Sequence, residues 1–407
     1  MLDLAEKASE KRRVAVAALV SLFVFALSSN ALPAVLLRAA DGLSVSMGQL
    51  AQVSAVQFSG FLVAAIAGGI FADHVGKKRV LQVACGCLLA GALTWSIART
   101  LSMALIGGGL MGLGGGVIES MSSTVLSDLF PDRRKFVLNI SQIIFCLGAI
   151  SGPAMMSWLL PLGVPWRSCF LGIAIASTIL LVLFSRVTLP APTSDERIHL
   201  GALKSIVRRR SVLVPCLVLF LYVLTEASVI VYGNAYLQTV HQAPERWAIG
   251  FISLFWFGMM LGRLACAAIP ERVPYAPLIA SLLVVTAATL VLQQWADGWR
   301  SSLVLLTLTG VMLSGIWPLI VGMAATLNTG YSATVLGVTI AVGSLGCVVA
   351  PTLMNTLFAY APARAIFPII AFPLLLAALV LMITKYQEED GPKEESDMQK
   401  RRNGKPV

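Results

Sequence analysis

The sequence predicts an all-α polytopic membrane protein with twelve transmembrane helices. Of its 407 residues, 57% are hydrophobic and only 12% are charged, and the mean hydropathy is +0.84. Its apolar stretches run for about 20 residues or more, which is the length that a helix needs to cross a hydrocarbon core of about 30 Å. Outer-membrane barrels show alternating stretches of about ten residues instead, so these continuous runs indicate helices. A water-soluble fold is excluded.

Twelve apolar spans follow one another along the chain. They cover residues 14–37, 46–72, 80–97, 102–128, 136–160, 167–185, 211–235, 247–269, 276–294, 301–325, 333–358 and 364–385. The longest polar connection divides them six and six. We therefore expect a cytoplasmic N-terminus (1–13), an N-terminal six-helix bundle (14–185), a cytoplasmic linker (186–210), a C-terminal six-helix bundle (211–385) and a cytoplasmic tail (386–407). The charged tail lacks hydrophobic periodicity, which predicts disorder.

The two halves resemble each other when the chain is shifted by 198 residues. This shift aligns Gly60 with Gly258, and Gly148 with Gly346. The pattern predicts two parallel six-helix repeats. In transporters built from repeats, the substrate lies near the bilayer midplane at the repeat interface, and rocking of one repeat against the other alternates access to it.

The basic residues predict the orientation in the membrane. Of the 30 Lys and Arg residues, 23 lie in segments on one side of the spans, six lie on the other side, and Arg263 lies within a span. The positive-inside rule then places both termini in the cytoplasm, in a multi-pass cell (inner) membrane protein. Because the net charge of +10 is confined to short clusters between apolar runs, we expect no nucleic-acid partner. Six tryptophans fall at the outer ends of spans, as in an interfacial aromatic belt: Trp95, Trp158, Trp166, Trp247, Trp295 and Trp299.

The sequence gives no sign of an enzyme. It contains no phosphate-binding Walker loop, and its three histidines lack the spacing of metal ligands. Its seven cysteines fall within predicted spans and are interpreted as packing residues. We therefore expect no cofactor and no metal, and transport driven by a gradient. The partners that we expect are a small-molecule substrate, a coupling ion and the lipid bilayer, with the chain acting as a monomer.

The connection after the second span carries the most specific motif. Residues 69–79 read GIFADHVGKKR. This run resembles the G-x-L-A-D-R-x-G-R-R signature of the major facilitator superfamily, with His74 in place of the usual arginine. The resemblance implies a transporter that alternates between two states. In the loop, Gly76 permits a tight turn, and Asp73 and Lys77 are gating candidates whose charges can latch the two halves together. The alternative is a positive loop that only sets the topology.

Four further segments resemble the fucose permease and sodium-dependent glucose transporter group of that superfamily. They are residues 112–119 (GLGGGVIE), 126–134 (LSDLFPDRR), 222–226 (YVLTE) and 314–318 (SGIWP). This resemblance implies symport of a sugar. The chain departs from the group in having Asn30 but no carboxylate in the first span, and Gln142 where many relatives have histidine.

Three ionisable residues lie deep within spans: Glu119, Glu226 and Arg263. A charge at the bilayer centre costs about 2.5–3.5 kcal/mol or more, so such residues usually face a cavity. Glu119 is the first candidate to carry a coupling proton, and Glu226 is the second. The alternative for Glu119 is a structural acid that is hydrogen-bonded across the bundle. For Arg263 we favour a structural or gating role over substrate binding.

The substrate site is predicted from polar and aromatic residues within spans. Tyr222 lies one helical turn before Glu226, which places a donor and an acceptor side by side for a hydroxylated ligand. Trp256 and Trp317 lie away from the interfacial belt and can stack on a sugar or on a flat drug. The amides of the other candidates can bond substrate hydroxyls or simply join helices; they belong to Asn30, Gln57 and Gln142.

The leading hypothesis is a secondary active importer of a small hydroxylated solute such as a monosaccharide. It would be coupled to protons, which we favour over sodium, through Glu119. The first alternative is a proton-driven exporter of drugs or metabolites. The second is a non-transporting membrane receptor that kept the transporter fold.

Overall fold

The computed structural model describes residues 2–130, 133–189, 209–267, 273–326 and 332–384. Most of the predicted linker and the predicted tail, 386–407, lie outside the described residues. The described helices are α1 (Leu2–Ser29), α2 (Ala31–Leu43), α3 (Met47–Val75), α4 (Lys77–Ser96), α5 (Leu101–Leu129), α6 (Arg134–Leu159), α7 (Arg167–Arg186), α8 (Arg210–Thr239), α9 (Glu245–Ala267), α10 (Tyr275–Val291), α11 (Trp299–Leu313), α12 (Ile316–Thr326), α13 (Ser332–Tyr360) and α14 (Ile366–Ile383).

These helices supply twelve segments that are long and apolar enough to cross a membrane, which confirms the predicted fold class. Two of the segments each contain two helices, namely α1 with α2 and α11 with α12. Helix α1 begins at Leu2 instead of near residue 14. The Ala, Glu, Lys and Arg residues before the apolar run are good helix formers, so the charged segment continues the helix.

Both broken segments have a proline just after the break. Helix α1 ends before Asn30, whose φ and ψ are −97° and 0°, and Pro33 follows in the first turn of α2. A proline cannot donate to the carbonyl four residues earlier, so Pro33 and Pro318 leave the carbonyls of Ser29 and Ser314 without a helical partner. The interruptions therefore arise from local sequence.

Helix α5 is the centre of the N-terminal bundle because its glycines let three helices approach it closely. Gly112 and Gly116 face the backbone of α3, Gly114 faces the backbone of α4, and Gly115 faces the Phe25 ring of α1. A Cβ atom at any of these positions would collide with its neighbour. Close approach through small residues is how helices pack in membranes, where lipid tails are as apolar as the side chains.

The same packing recurs in the C-terminal bundle. A Cβ at Gly60 of α3 would lie 2.9 Å from the carbonyl oxygen of Gly109 in α5, and one at Gly258 of α9 would lie 2.8 Å from that of Thr307 in α11. Gly60 and Gly258 are 198 residues apart, and so are Gly109 and Thr307. The shift that was read from the sequence therefore also relates helix contacts in the two halves.

The tryptophans at the loop ends divide into two groups. Trp158, Trp247 and Trp295 are exposed, as an interfacial belt requires. In contrast to the prediction, Trp95 and Trp166 are buried and pack around Phe170, with Trp95 stacked at 4.6 Å from its ring. Gly107 and Gly42 leave the space that these two indole rings fill.

We predict that Gly112→Ala destabilises the protein, because the added methyl group meets the backbone of Gln57, which cannot rotate away. Overpacking of this kind costs about 1–3 kcal/mol. The thermal midpoint of the purified protein in detergent should therefore fall by several degrees. Gly172→Ala is the matched control, because no atom lies within 4 Å of its Cβ position. Equal midpoints for the two variants would contradict the prediction.

Candidate functional site

The ends of the helices define two faces of the bundle. We call the face at which the first helix begins the terminal face; α3, α5 and α9 end there. The opposite face is the distal face, where α2, α6 and α8 end. With a rise of about 1.5 Å per residue, Glu119, Glu226 and Arg263 lie about 20–27 Å along their helices from the distal face. All three side chains are half-buried at this depth, so they retain accessible surface in the interior of the bundle.

Arg263 is the cation near the two carboxylates in the described part of the chain. Its guanidinium lies within electrostatic range of Glu119 on α5 and of Glu226 on α8, yet neither forms an ion pair with it within 4 Å in the described part of the chain. Instead its Nη1 lies 3.3 Å from Oε1 of Gln142 and 3.5 Å from Sγ of Cys146, both on α6. Arg263 thus joins the two halves through neutral partners.

The surroundings of Glu226 combine polar and aromatic groups. The buried hydroxyl of Tyr222 lies beside this carboxyl but makes no hydrogen bond of good geometry. The ring of Trp317 lies 6.5 Å from that of Tyr222, and Cys347 of α13 lies within electrostatic range of both carboxylates. Among the described residues, no three His, Cys, Asp or Glu side chains converge to hold a metal ion.

Asn30 and Trp256 bond to each other across the two halves. The indole Nε1 of Trp256 donates to Oδ1 of Asn30 at 2.8 Å, and Nδ2 of Asn30 donates to the carbonyl of Ala26 at 2.9 Å. Both side chains are buried. The break between α1 and α2 therefore presents an amide whose oxygen and nitrogen already have partners.

Gln57 stands apart from the charged group. It lies on α3, with its backbone against Gly112 and its Cβ near Gly108 of α5. Its side chain is 8% exposed and makes no hydrogen bond within the described ranges. Its amide is therefore the one candidate amide without a protein partner.

Aromatic rings from both halves form a layer that sequence reasoning missed. Phe25 of α1 lies 5.6 Å from Phe61 of α3 and 5.8 Å from Phe145 of α6, and Phe145 lies 5.5 Å from Trp256 of α9. Trp256 is two helical turns from Arg263 on the same side of α9, toward the distal face. Phenylalanines in an apolar span look like ordinary core residues, so only their convergence marks this aromatic layer.

The gating candidates at the terminal face have contacts within the N-terminal half. Gly76 joins α3 to α4 with a φ of +89°, as the tight turn requires. The Nζ of Lys77 lies 2.6 Å from Oδ2 of Asp128, at the end of α5. In this structure Lys77 pairs within the N-terminal half, because Asp128 lies beside the α3–α4 turn, and its role in a latch between the halves stays a prediction. The Asp73 side chain lies outside the described side chains.

A cluster at the distal face, the distal clasp, joins the halves through the first two residues of α9. The carboxylate of Glu245 accepts from Nε and Nη2 of Arg38 on α2, at 2.6 and 2.7 Å. The guanidinium of Arg246 lies 3.0 Å from the ring centroid of Trp158 at the end of α6. These four residues, Arg38, Glu245, Arg246 and Trp158, were not among the predicted site residues.

Two hydrogen bonds from side chains to backbone carbonyls also join the halves, nearer to the centre of the bundle than the distal clasp. Asn234 of α8 donates to the carbonyl of Pro33 at 3.1 Å, next to the break in the first span. Ser253 of α9 donates to the carbonyl of Ile150 of α6 at 2.8 Å. The two halves are thus in contact from the distal face down to Arg263.

Comparison with known proteins identifies the family of this chain. A sequence model described as Major Facilitator Superfamily matches residues 14–292. The multidrug resistance protein MdtL of Escherichia coli is 31% identical over 167 residues, which are 39% of this chain and 42% of MdtL. The chain therefore matches about two fifths of the length of this curated relative.

Solved structures with the same fold extend over almost the whole chain. The D-xylose-proton symporter superposes with a TM-score of 0.76 at 14% identity, over 91% of this chain and 96% of that one. The fucose:proton symporter FucP of E. coli superposes with a TM-score of 0.66 at 17% identity, over 91% and 98%. At such identities, the likeness shows the fold alone.

We predict that Arg38→Glu opens the distal face, because it places a carboxylate against Glu245. A partly exposed pair contributes about 0–1 kcal/mol, so the open population should rise by up to about fivefold. Spin labels at the exposed residues Leu162 and Tyr360, with the native cysteines replaced by serine, would report this as a longer distance between the two halves.

The double variant Arg38→Glu/Glu245→Arg should restore the original distance distribution, since it exchanges the two charges. Arg99→Glu is the control, because it places the same charge change on the same face outside the clasp. An unchanged distribution in Arg38→Glu would show that the ion pair does not hold this face closed.

Proposed function

The chain belongs to the Major Facilitator Superfamily, and from this premise we propose that it is a proton-coupled exporter of organic solutes that works by alternating access. The observation that carries the proposal is that Arg263 lies within electrostatic range of both Glu119 of the N-terminal half and Glu226 of the C-terminal half. Charged groups within a membrane mark substrate and ion pathways, and a carboxyl is the side chain best suited to take up and release a proton there.

Proton coupling follows from the number of charges. An arginine stays charged in proteins, and its single positive charge neutralises only one carboxylate. An ionised carboxylate without a partner at this depth costs about 2.5–3.5 kcal/mol or more. Protonation of Glu119 therefore favours an arrangement in which Arg263 lies nearer Glu226, and loss of the proton removes this preference. Because the two acids lie in different halves, this preference biases how the halves are arranged.

Export is favoured over sugar import because few polar side chains at the site remain available to bind a sugar. The amide of Asn30 and the indole N–H of Trp256 are bonded to each other, and Oε1 of Gln142 accepts from Arg263. Few donors and acceptors are left to replace the hydration of a sugar, whereas the aromatic layer offers stacking surface. The resemblance to MdtL, a multidrug resistance protein, supports the same direction.

The orientation completes the proposal. We place the protein in the cell inner membrane with its terminal face toward the cytoplasm, because most of the lysines and arginines lie on that side. With the distal clasp closed, the carboxylates would be reached from the cytoplasm. That is the state in which an exporter loads its cargo.

A second candidate function is proton-coupled import of a monosaccharide. It is supported by the buried Tyr222 hydroxyl, which makes no hydrogen bond of good geometry beside Glu226, and by the Gln57 amide, which has no hydrogen-bond partner in the described ranges. Both groups can bond hydroxyls of a neutral solute. The direction of proton movement separates this candidate from export.

We predict that Glu119→Gln abolishes proton coupling, because the amide cannot carry the proton that balances Arg263. Purified protein in liposomes with an acidic interior and an internal pH dye would be given a panel of aromatic drugs and monosaccharides outside. The wild type should release protons when an exported solute is added, and the variant should be at least about tenfold slower. Asp297→Asn, which removes an exposed carboxylate in a distal loop, should match the wild type.

The same assay distinguishes the alternatives. Exchange of protons for a solute supports export, and inward movement of a sugar together with protons supports the symporter. Solute binding without any flux would instead favour a receptor. A Glu119→Gln variant with the wild-type rate of proton flux would exclude Glu119 as the coupling residue.

A further inference from the structure

The charges at the site do not balance on their own. Glu119, Glu226 and Arg263 are the ionisable residues at this depth in the described helices, apart from tyrosines and cysteines. With both acids ionised, their sum is −1. One added positive charge makes the site neutral, and a neutral site is strongly favoured where water is scarce. The added charge can be a proton, or it can be carried by the cargo.

Glu226 is the acid with the better surroundings for an organic cation. Trp317 and the buried Tyr222 lie on its side of the site, and a ring face attracts a cation by about 0.5–2 kcal/mol. The Tyr222 hydroxyl lies beside Glu226 without a hydrogen bond of good geometry, so a ligand bound at Glu226 can give it a better-placed partner. The rings of Trp256 on α9 and of Phe145 from the other half lie 5.5 Å apart and add a flat apolar surface on the distal side of Arg263.

The other groups that face Glu226 do not supply the missing positive charge. Arg263 from α9 and Cys347 from α13 lie within its electrostatic range, and Tyr222 lies on its own helix. Helices α12 and α14, which pack against α8, contain no acidic or basic residue over their described lengths. Arg263 is already counted in the sum.

Resting on the proposed function, we propose that the cargo is a monovalent organic cation with an aromatic or otherwise flat body, which binds with its charge at Glu226 and exchanges for one proton. The site is then neutral in both loaded states, with a proton on one acid or with the cation beside Glu226. The exchange moves one positive charge in each direction, so it is electrically silent. A neutral sugar carried with a proton would instead move net charge.

The experiment measures binding of radiolabelled tetraphenylphosphonium to the purified full-length protein in detergent at pH 6, 7 and 8. Competition with one proton predicts that the Kd rises by up to about tenfold per unit of decreasing pH in the range where the site protonates. Tetraphenylborate has the same shape and the opposite charge, so it should bind at least about tenfold more weakly at pH 8. Tighter binding of tetraphenylborate would overturn the proposal.

Variants that set the charge sum at 0 or at −1 locate the cation: removal of one acid alone gives 0, and removal of that acid together with Arg263 restores −1. Glu119→Gln and Glu226→Gln should each weaken tetraphenylphosphonium binding at least about tenfold, because the remaining acid pairs with Arg263. Adding Arg263→Gln to Glu119→Gln should restore binding, since Glu226 is then free. Adding it to Glu226→Gln should not, and restoration there would place the cation at Glu119 and overturn the proposal. Glu226→Asp keeps the carboxylate and should retain binding, which would show that the protein still folds when this position is substituted.

The outcomes separate this inference from the function on which it rests. If tetraphenylphosphonium does not bind, or binds with the same Kd at every pH, the cationic cargo is excluded, while proton flux driven by a neutral solute would still support the exporter. If no solute of any charge drives proton flux in liposomes, the proposed function itself fails.

Discussion

The rest of the site depends on one constraint, which is that a charge held within a membrane must be neutralised locally. Arg263 cannot lose its charge, so its partners determine what the neighbouring carboxylates can do. In this structure it contacts an amide and a thiol, and it lies within electrostatic range of two acids from different halves. Arg263 therefore has two carboxylates as alternative partners, and in the proposed function the proton or the ligand at the site selects one of them.

The helix packing makes this arrangement possible. Glu119 lies three residues beyond Gly116, on the helix that three others approach through glycines. Side chains in place of these glycines would push α3 and α4 away. The backbone contacts thus fix α5 firmly within its own bundle, so Glu119 moves with the N-terminal half as one body. Because each half holds a charge rigidly, the electrostatic energy between these charges depends on the relative position of the two halves.

The sequence predicted what is locally encoded and missed what is encoded by long-range contacts. Hydropathy alone revealed the twelve spans, and a charged residue in an apolar span identified Glu119, Glu226 and Arg263 without any structure. The bond between Asn30 and Trp256 joins residues 226 positions apart, and the ion pair between Arg38 and Glu245 joins residues 207 positions apart. The hydrophobic periodicity of a sequence does not indicate contacts between residues so far apart. Each of these residues, taken singly, resembles an ordinary loop charge or helix-packing amide.

Helix α9 carries both the distal clasp and the central cation, and its length has a mechanical consequence. Glu245 and Arg263 are separated by 18 residues, or about 27 Å of rigid helix. If the helix pivots at the clasp, a tilt of about 10° sweeps the guanidinium through about 5 Å. That displacement is larger than the difference between a hydrogen bond and no contact. A small tilt of the helix at the distal face can therefore change the partner of Arg263 at the centre of the bundle.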